Sequence, residues 1–198
     1  MTSPAVLVVT GVSGAGKTAT LRAFEVRALP GVRCYYFDTI GVPSLDNMHR
    51  DFGGPEQWQA VATQRWIDRF AADADRAEIY VLEGQTRASF VRDAAERAGI
   101  RAVRVVLLEC APSVRHVRLA GPRGQPELST SQMDCWAAYL RGQADALNFP
   151  VIDTTDLEID AVADRLLVHV NALRDKRHAA AEQANGADAQ KRAAHPRR

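Results

Sequence analysis

The stretch Gly11-Val12-Ser13-Gly14-Ala15-Gly16-Lys17-Thr18 decides how this chain folds. Its spacing, G-x-x-x-x-G-K-T, is that of a loop that surrounds phosphate groups. An apolar, β-branched run at 5–10 precedes it and predicts a buried parallel strand. A helical pattern begins behind it, at residue 19. Strand, glycine-rich loop and helix in this order are the setting in which the motif binds a nucleoside triphosphate, and we expect such a site here.

The residue types in this loop suit an anion. Glycines let successive backbone N–H groups turn toward one phosphate, and the helix N-terminus adds a partial positive charge. Lys17 would reach the β- and γ-phosphates, and the Thr18 hydroxyl would ligate Mg²⁺. The residues expected to contact the nucleotide are Gly11, Val12, Ser13, Gly14, Ala15, Gly16, Lys17, Thr18 and Ala19.

Length and charge limit the class of protein. A chain of 198 residues can bury one sizeable core, and its 46% hydrophobic content is ordinary for a globular domain. The net charge is only +1, and residues 175–198 hold six basic and three acidic residues, so the rest of the chain is slightly acidic. A slightly acidic domain lacks the positive charge that binds the phosphate backbone of nucleic acids, so we expect no nucleic-acid partner. We expect one domain over 1–174 and, because 175–198 lack periodicity, a disordered tail there.

The sequence does not support a disulfide-bonded protein, a membrane protein, a histidine metal site or a serine hydrolase. Cys34, Cys110 and Cys135 are far apart without C-x-x-C spacing, which is typical of reduced thiols in the cytosol. The N-terminus has no signal-peptide pattern, and no run approaches 18 apolar residues, so we expect a soluble cytoplasmic protein without a membrane partner. The five histidines lack metal-binding spacing, and the serines lack the G-x-S-x-G pattern of hydrolases.

Short apolar runs alternate with helical patterns along the chain. The strands are predicted at 5–10, 33–37, 78–83, 102–108 and 150–153. This alternation predicts βαβ units, and hence an α/β fold of three layers with a mainly parallel, five-stranded sheet. The helices are predicted at 17–28, from 55, at 88–98, from 112, at 130–147 and at 158–174.

Two stretches between these elements look irregular. Residues 38–54 mix polar and apolar side chains, and residues 121–128 are rich in glycine and proline. Long loops in compact domains are usually functional or disordered. We therefore expect a substrate loop at 38–54 and a lid at about 115–128. Trp58 and Trp66, which share a helix face with other apolar residues, are interpreted as core.

Two carboxylates follow predicted strands. Glu83 ends the run Tyr80-Val81-Leu82-Glu83, and Asp38 ends the run at 34–38. Ligands of open parallel sheets bind at this strand edge. Glu83 could hold Mg²⁺ there, and Asp38 could take a proton from a substrate hydroxyl. Both could also be turn residues at the ends of strands.

Arginines supply the candidate positive charges. Arg87 comes just after the Glu83 strand, where its guanidinium could fork onto a substrate anion or hydroxyls. Arg118 and Arg123 lie on and after a helix that leads into the lid, and either could close over a transferring phosphoryl group. The chain has 22 arginines and three lysines, so any single arginine can equally be a solvated surface cation. Lys17 differs, because it is the only lysine before residue 176.

These motifs together resemble those of the P-loop small-molecule and nucleoside kinases. The strand end Leu82-Glu83-Gly84 is similar to that of uridine kinase and phosphoribulokinase relatives. The compact size and the run 9–17 are similar to gluconate kinase, shikimate kinase and chloramphenicol phosphotransferase. The resemblance covers roughly 5–170 and implies the strand order 2-3-1-4-5, with adenine near 154–156. No gluconate-type or shikimate-type signature stands in 38–54.

The resemblance and the residues favour an ATP-dependent kinase that phosphorylates a hydroxyl or phosphate of a small molecule, with Mg²⁺ as cofactor. The acceptor stays open among nucleosides, nucleotides, sugars, sugar acids and antibiotics. The alternative is a nucleotide-gated switch, or an ATPase or GTPase activated by a partner. The chain lacks the N-K-x-D and D-x-x-G segments of regulatory GTPases, which favours the kinase. The sequence does not indicate an oligomeric state.

Overall fold

A computed structural model describes residues 3–121 and 124–194, with side chains described up to residue 179. In this range the chain forms five strands and seven α-helices. The strands are β1 (Ala5–Thr10), β2 (Val32–Tyr36), β3 (Ile79–Glu83), β4 (Ala102–Glu109) and β5 (Val151–Asp153). The helices are α1 (Lys17–Val26), α2 (Leu45–Phe52), α3 (Pro55–Ala72), α4 (Ala88–Arg97), α5 (Pro112–Ala120), α6 (Ser131–Leu147) and α7 (Ile159–Ala194).

The strands form one parallel sheet in the order β2-β3-β1-β4-β5. The predicted α/β fold and strand order are therefore confirmed. Val9 of β1 pairs with Glu83 of β3 on one side and with Val106 of β4 on the other. Because all strands run in the same direction, their carboxyl ends meet at one edge, where β1 passes into the glycine-rich loop.

The central strand β1 contributes to two cores, one on each face of the sheet. Ala5, Leu7 and Val9 are fully buried against α1, α6 and α7, while Val6 and Val8 are fully buried against α3 and α4. Successive side chains of a strand point to opposite faces, so a continuous apolar strand fits only between two layers of helices.

The aromatic residues of α3 and β2 form the core on the second face. Trp58 and Trp66 are buried there, which confirms their interpretation as core residues. The indole N–H of Trp66 donates to the backbone oxygen of Phe37 at 3.1 Å. This bond fixes the end of β2 against α3, and Tyr35 packs its ring against those of Trp66 and Phe70.

The segment 38–54 is more regular than predicted. It contains a 3₁₀ turn, Phe37–Ile40, and the two-turn helix α2. Ser44 caps α2, since its side chain accepts from Asn47 N at 3.3 Å, and Gly53 ends the helix in the left-handed conformation with φ 89°. The irregular conformation predicted for these residues is thus wrong for α2, because a serine cap and a glycine stop were overlooked.

Thr130 caps α6, because its side chain accepts from Met133 N at 3.2 Å. In the lid segment, α5 is followed by the 3₁₀ turn Pro126–Leu128. Arg123 lies outside the described residues.

Helix α7 continues to Ala194, beyond the end predicted at 174. Alanine, glutamine, glutamate, lysine and arginine, which are good helix formers, are abundant in this extension. Arg177 donates to the backbone oxygen of Ser3 at 3.3 Å and lies 3.7 Å from the Glu78 carboxylate. Helix α7 thus continues past 174, and the division of the chain into a domain and a tail at that point stays a prediction.

Gly84 offers a test of how tightly the edge of the sheet is packed. A Cβ added there would lie 2.3 Å from Phe37 Cβ, so Gly84→Ala should lower the free energy of unfolding by about 1–3 kcal/mol. Gly142, inside α6, has no neighbouring atom within 4 Å of such a Cβ, and Gly142→Ala should instead raise stability by about 0.5–1 kcal/mol. Urea denaturation measures both. Equal stability of the two variants would contradict the packing.

Candidate active site at the phosphate loop

The phosphate loop, residues 11–18, is held in a conformation that requires glycine. Gly11, Gly14 and Gly16 have φ of 151°, 83° and 93°. A Cβ on Gly11 would lie 2.3 Å from the backbone oxygen of Leu108, and one on Gly14 would lie 2.7 Å from Arg115 Cγ. The loop therefore packs directly against the end of β4 and against α5.

Three side chains of the predicted phosphate and metal chemistry come together here. Lys17 is buried and donates from Nζ to the backbone oxygen of Val12 at 3.1 Å, so its ammonium lies over the loop. The Thr18 hydroxyl donates to Glu83 Oε1 at 3.1 Å. Glu83, at the end of β3, is only 7% exposed. A hydroxyl and a carboxylate in contact beside a phosphate-binding loop are oxygen ligands of the kind that Mg²⁺ prefers.

A cavity of about 630 Å³ opens beside the loop, and we name it the loop cavity. One wall carries polar groups of the loop together with Arg118 and Thr154. The other wall is apolar and comes from Leu157, Ile159 and Val162, around the start of α7. The cavity thus combines anion-binding groups at one end with apolar surface at the other, as a nucleotide requires. Its size is typical of a small-molecule site.

Arg118 connects this cavity to the loop through Thr154. Its Nη1 donates to Thr154 Oγ1 at 2.9 Å, and its Nη2 donates to Thr154 O at 2.7 Å. The Thr154 hydroxyl also lies 3.1 Å from Ala15 O, in the phosphate loop, and 3.0 Å from Glu109 O. Arg118 is therefore part of the cavity wall in this structure.

The turn after β5 is stabilised by Asp153. Its Oδ1 accepts from the Thr155 hydroxyl at 2.6 Å and from the Thr155 backbone N–H at 2.8 Å. Both bonds lower the pKa of the Asp153 carboxyl, and the bond from the Thr155 hydroxyl contributes more than the bond from the backbone N–H. A lowered pKa means that the carboxylate stabilises the fold near neutral pH, and that this contribution is lost as the pH falls through the folded-state pKa.

A second cavity, of about 550 Å³, lies between α3, α6 and the segment after β3, and we name it the aromatic cavity. Gln85 lines it and donates from Nε2 to Ser13 Oγ at 3.0 Å, so the cavity reaches the phosphate loop. Gln59 lines it as well and donates to the backbone oxygen of Gln85 at 2.8 Å. Trp136 and Tyr139 of α6 form its aromatic side.

Arg87 lines this cavity, and its donors are engaged by protein groups, so its role in acceptor binding stays a prediction. Nη1 donates to Gln59 Oε1 at 2.7 Å, and Nη2 donates to Glu56 Oε2 at 3.1 Å. The guanidinium carbon also lies 4.7 Å from the centroid of the Trp136 ring and 5.5 Å from that of Tyr139. Arg87 therefore holds the walls of the cavity together.

A buried network of threonines supports the turn between β3 and α4. The Thr10 hydroxyl donates to Thr86 O at 2.7 Å, and the Thr63 and Thr86 hydroxyls are 2.8 Å apart. All three residues are buried. This network fixes the segment that carries Gln85 and Arg87. Isolated threonines form no motif, so the sequence alone does not indicate it.

Arg115 is a second feature that the sequence left unassigned. It is buried beneath Gly14 and forms an ion pair with Asp134 of α6. Its Nε is the one buried side-chain polar atom without a hydrogen-bond partner in the described part of the chain. The ion pair links α5 and α6 directly under the phosphate loop.

Asp38 lies in the 3₁₀ turn after β2, at the carboxyl edge of the sheet. Its side chain is exposed and is not among the residues that line the two cavities. Its role as a base therefore stays a prediction, as do the roles of Arg118 and Arg123 in closing over a phosphoryl group.

Within the described residues, no group of three or more His, Cys, Asp and Glu side chains is arranged to hold a metal ion. A magnesium site built from Thr18, Glu83 and phosphate oxygens does not need such a group, because Mg²⁺ is commonly bound by one or two carboxylates and by its substrate's phosphates. None of the described helices combines the length and the apolar composition needed to cross a membrane.

Solved kinase structures share this fold. A gluconokinase from Sinorhizobium meliloti 1021 is 18% identical, with a TM-score of 0.64, over 90% of this chain and 98% of its own. A sugar kinase from Janibacter sp. HTCC2649 is also 18% identical, with a TM-score of 0.59, over 85% of this chain and 95% of its own. A shikimate kinase from Acinetobacter baumannii in complex with shikimate is 14% identical, with a TM-score of 0.56, over 85% and 94%.

Neither a protein-family model nor a functionally curated protein matches the sequence. The likeness is therefore one of architecture, over nearly the whole length of the neighbours. The chain has the fold of the P-loop small-molecule kinases.

Proposed function

We propose that this protein transfers the γ-phosphoryl group of ATP to a small-molecule acceptor. The observation that carries the proposal is that two separate cavities are both connected to the phosphate loop. The loop cavity is lined by the loop itself and suits a nucleotide, whereas the aromatic cavity is connected to the loop through the hydrogen bond from Gln85, one of its lining residues, to Ser13. A protein that only binds or hydrolyses a nucleotide needs the first cavity alone. The solved structures that share the fold are kinases, which also supports phosphoryl transfer to a small molecule.

The residues of the loop have separate tasks in this proposal. Lys17 and the loop amides hold the phosphates, and Thr18 and Glu83 hold Mg²⁺. The contact of 3.1 Å between their oxygens brings both ligands to one point, which fits a single small cation. When bound, the cation neutralises charge on the β- and γ-phosphate oxygens. Phosphoryl transfer needs mainly positioning and charge stabilisation, and these residues supply both.

The remaining roles are assigned by position in the fold. Asp38 orients or deprotonates the acceptor hydroxyl, and Arg118 and Arg123 stabilise charge on the transferring group. Arg118 is held in the wall of the loop cavity by Thr154, which supports its part in nucleotide binding. ATP as the donor and a cytoplasmic location complete the proposal.

Lys17→Ala and Glu83→Gln should each lower ATP turnover with an acceptor by about 100-fold or more, because they remove preorganised charge from the site. The measurement is ADP release with Mg²⁺ over a panel of nucleosides, sugars, sugar acids, and aminoglycoside- and phenicol-type compounds. Lys176→Ala and Glu96→Gln are the matched controls on α7 and α4, and they should keep full activity. Transfer at the wild-type rate by either site variant would refute the mechanism.

The same panel of compounds distinguishes the proposed kinase from the alternative function, a nucleotide-gated switch or partner-activated ATPase. A kinase should release ADP well above background only with its acceptor. ATP hydrolysis that no small molecule stimulates, but that a protein partner does, would reject the proposed function in favour of the switch.

Thr154→Val tests the wall of the loop cavity. The variant keeps the side-chain shape but loses the hydroxyl that contacts Arg118 and Ala15. Stability should fall by about 1–3 kcal/mol, because buried partners lose a hydrogen bond, and the Kd for ATP should rise. Urea denaturation and calorimetric titration with ATP measure the two effects. Thr39→Val, which removes an exposed hydroxyl bond to Tyr36 O, should leave ATP affinity unchanged.

A further inference from the structure

We propose that the acceptor is an uncharged molecule that presents a ring and hydroxyl groups, such as a nucleoside or a glycoside, and that sugar acids and nucleotides are poor acceptors. This inference rests on the proposed function and concerns the aromatic cavity. In the reaction, an acceptor hydroxyl oxygen bonds to the γ-phosphorus of ATP, the bond from that phosphorus to the bridging oxygen breaks, ADP leaves, and the hydroxyl proton is released.

Charge in the cavity is the first argument. Of the described residues that line it, the charged ones are Arg87 and Glu56, and they pair at 3.1 Å. The second terminal nitrogen of Arg87 donates to Gln59. The Arg87 side chain is 16% exposed, whereas that of Glu56 is 59% exposed. The Glu56 carboxylate already pairs with the Arg87 guanidinium. An anionic acceptor would have to displace this carboxylate, so the cavity disfavours negatively charged acceptors.

The aromatic side of the cavity is the second argument. The Trp136 and Tyr139 rings are stacked, with centroids 5.1 Å apart and an angle of 14° between the planes. Arg87 lies over Trp136 and so fixes its orientation. Tyr139 remains 44% exposed, and Met133 adds further apolar contact. A stacked and partly exposed aromatic pair in a cavity offers a rigid surface for a base or for the apolar face of a sugar ring.

The polar groups of the cavity are the third argument. Gln85, Gln132 and Thr130 line it together with Gln59, whose amide is already bonded to Arg87 and to the backbone oxygen of Gln85. Amide and hydroxyl side chains both donate and accept hydrogen bonds without carrying charge, which matches hydroxyl groups and the edges of a base. Gln85 also contacts Ser13 at 3.0 Å, so a hydroxyl bound near Gln85 lies on the side of the cavity next to the phosphate loop.

Matched pairs of acceptors test the charge preference. Uridine is compared with orotidine, which keeps every hydroxyl and adds a carboxylate to the base, and methyl glucoside is compared with methyl glucuronide, which keeps the ring and carries a carboxylate, at equal concentrations of ATP and Mg²⁺. The uncharged member of the preferred pair should have a kcat/KM for ADP release about ten-fold or more above its anionic partner, given the strength of hydrogen bonds to charged groups. The nucleoside and glycoside arms show which ring the cavity takes. A preference for the anionic members would overturn the inference and leave the proposed function intact.

Tryptophan fluorescence reads binding without turnover. Of the three tryptophans, Trp58 and Trp66 are buried in the core, and Trp136 lines the cavity. The preferred uncharged compound should change the emission of the wild type but not that of Trp136→Phe. Tyr139→Leu should raise the KM for the acceptor by about three- to ten-fold, with the Kd for ATP unchanged. Binding that leaves Trp136 emission unchanged would refute the aromatic cavity as the acceptor site.

Glu56→Gln tests whether the preference for uncharged over anionic acceptors depends on the Glu56 carboxylate. The variant removes the carboxylate that neutralises Arg87, so the kcat/KM for the anionic members should rise relative to that for the uncharged ones. Asp145→Asn, which breaks an exposed ion pair with Arg141 on α6, is the matched control and should leave the ratio unchanged. An unchanged ratio in Glu56→Gln would contradict the argument from charge. Fluorescence binding without any ADP release would instead reject the kinase and retain the ligand class.

Discussion

The parallel pairing of β1 with β3 is the constraint on which the rest of the site depends. It sets Val9 opposite Glu83, so that the carboxylate ends its strand beside the point where β1 turns into the phosphate loop. A slip of one residue would point Glu83 to the other face of the sheet. The tight approach of Gly84 to Phe37 and the threonine network fix this register from both sides.

Much of the fold could be predicted from the sequence, because its signals are local. The five strands, their parallel arrangement and the phosphate loop follow from apolar runs, from glycine spacing and from proline at helix starts. Helix α2 was missed, although Ser44 and Gly53 mark its ends and Leu45, Met48 and Phe52 recur at helical spacing, because eight residues are too few for the apolar pattern to stand out. The helical extension after 174 was missed because composition alone suggested disorder, whereas Arg177 contacts Ser3 far away in the sequence.

The residues of the candidate site likewise fall into those that the sequence indicates and those that it does not. Lys17, Thr18 and Glu83 were found because a motif or a strand end identifies each of them, and they lie together in the structure. The surroundings of Arg87 depend on Glu56, Gln59 and Trp136, which come from two other helices. No pattern in a single sequence indicates such a meeting. Arg87 was therefore recognised as a cavity residue, while its partners, which determine the charge that it offers, were not.

Gln85 connects the aromatic cavity to the phosphate loop. Its side chain contacts Ser13 in the loop, and its backbone oxygen accepts from Gln59 in the aromatic cavity. In the proposed kinase, a phosphate beside Ser13 and an acceptor beside Gln59 would thus lie at the two ends of one short chain of hydrogen bonds. Coupling through this chain would be reciprocal, so that the factor by which ATP changes acceptor affinity would equal the factor by which the acceptor changes ATP affinity.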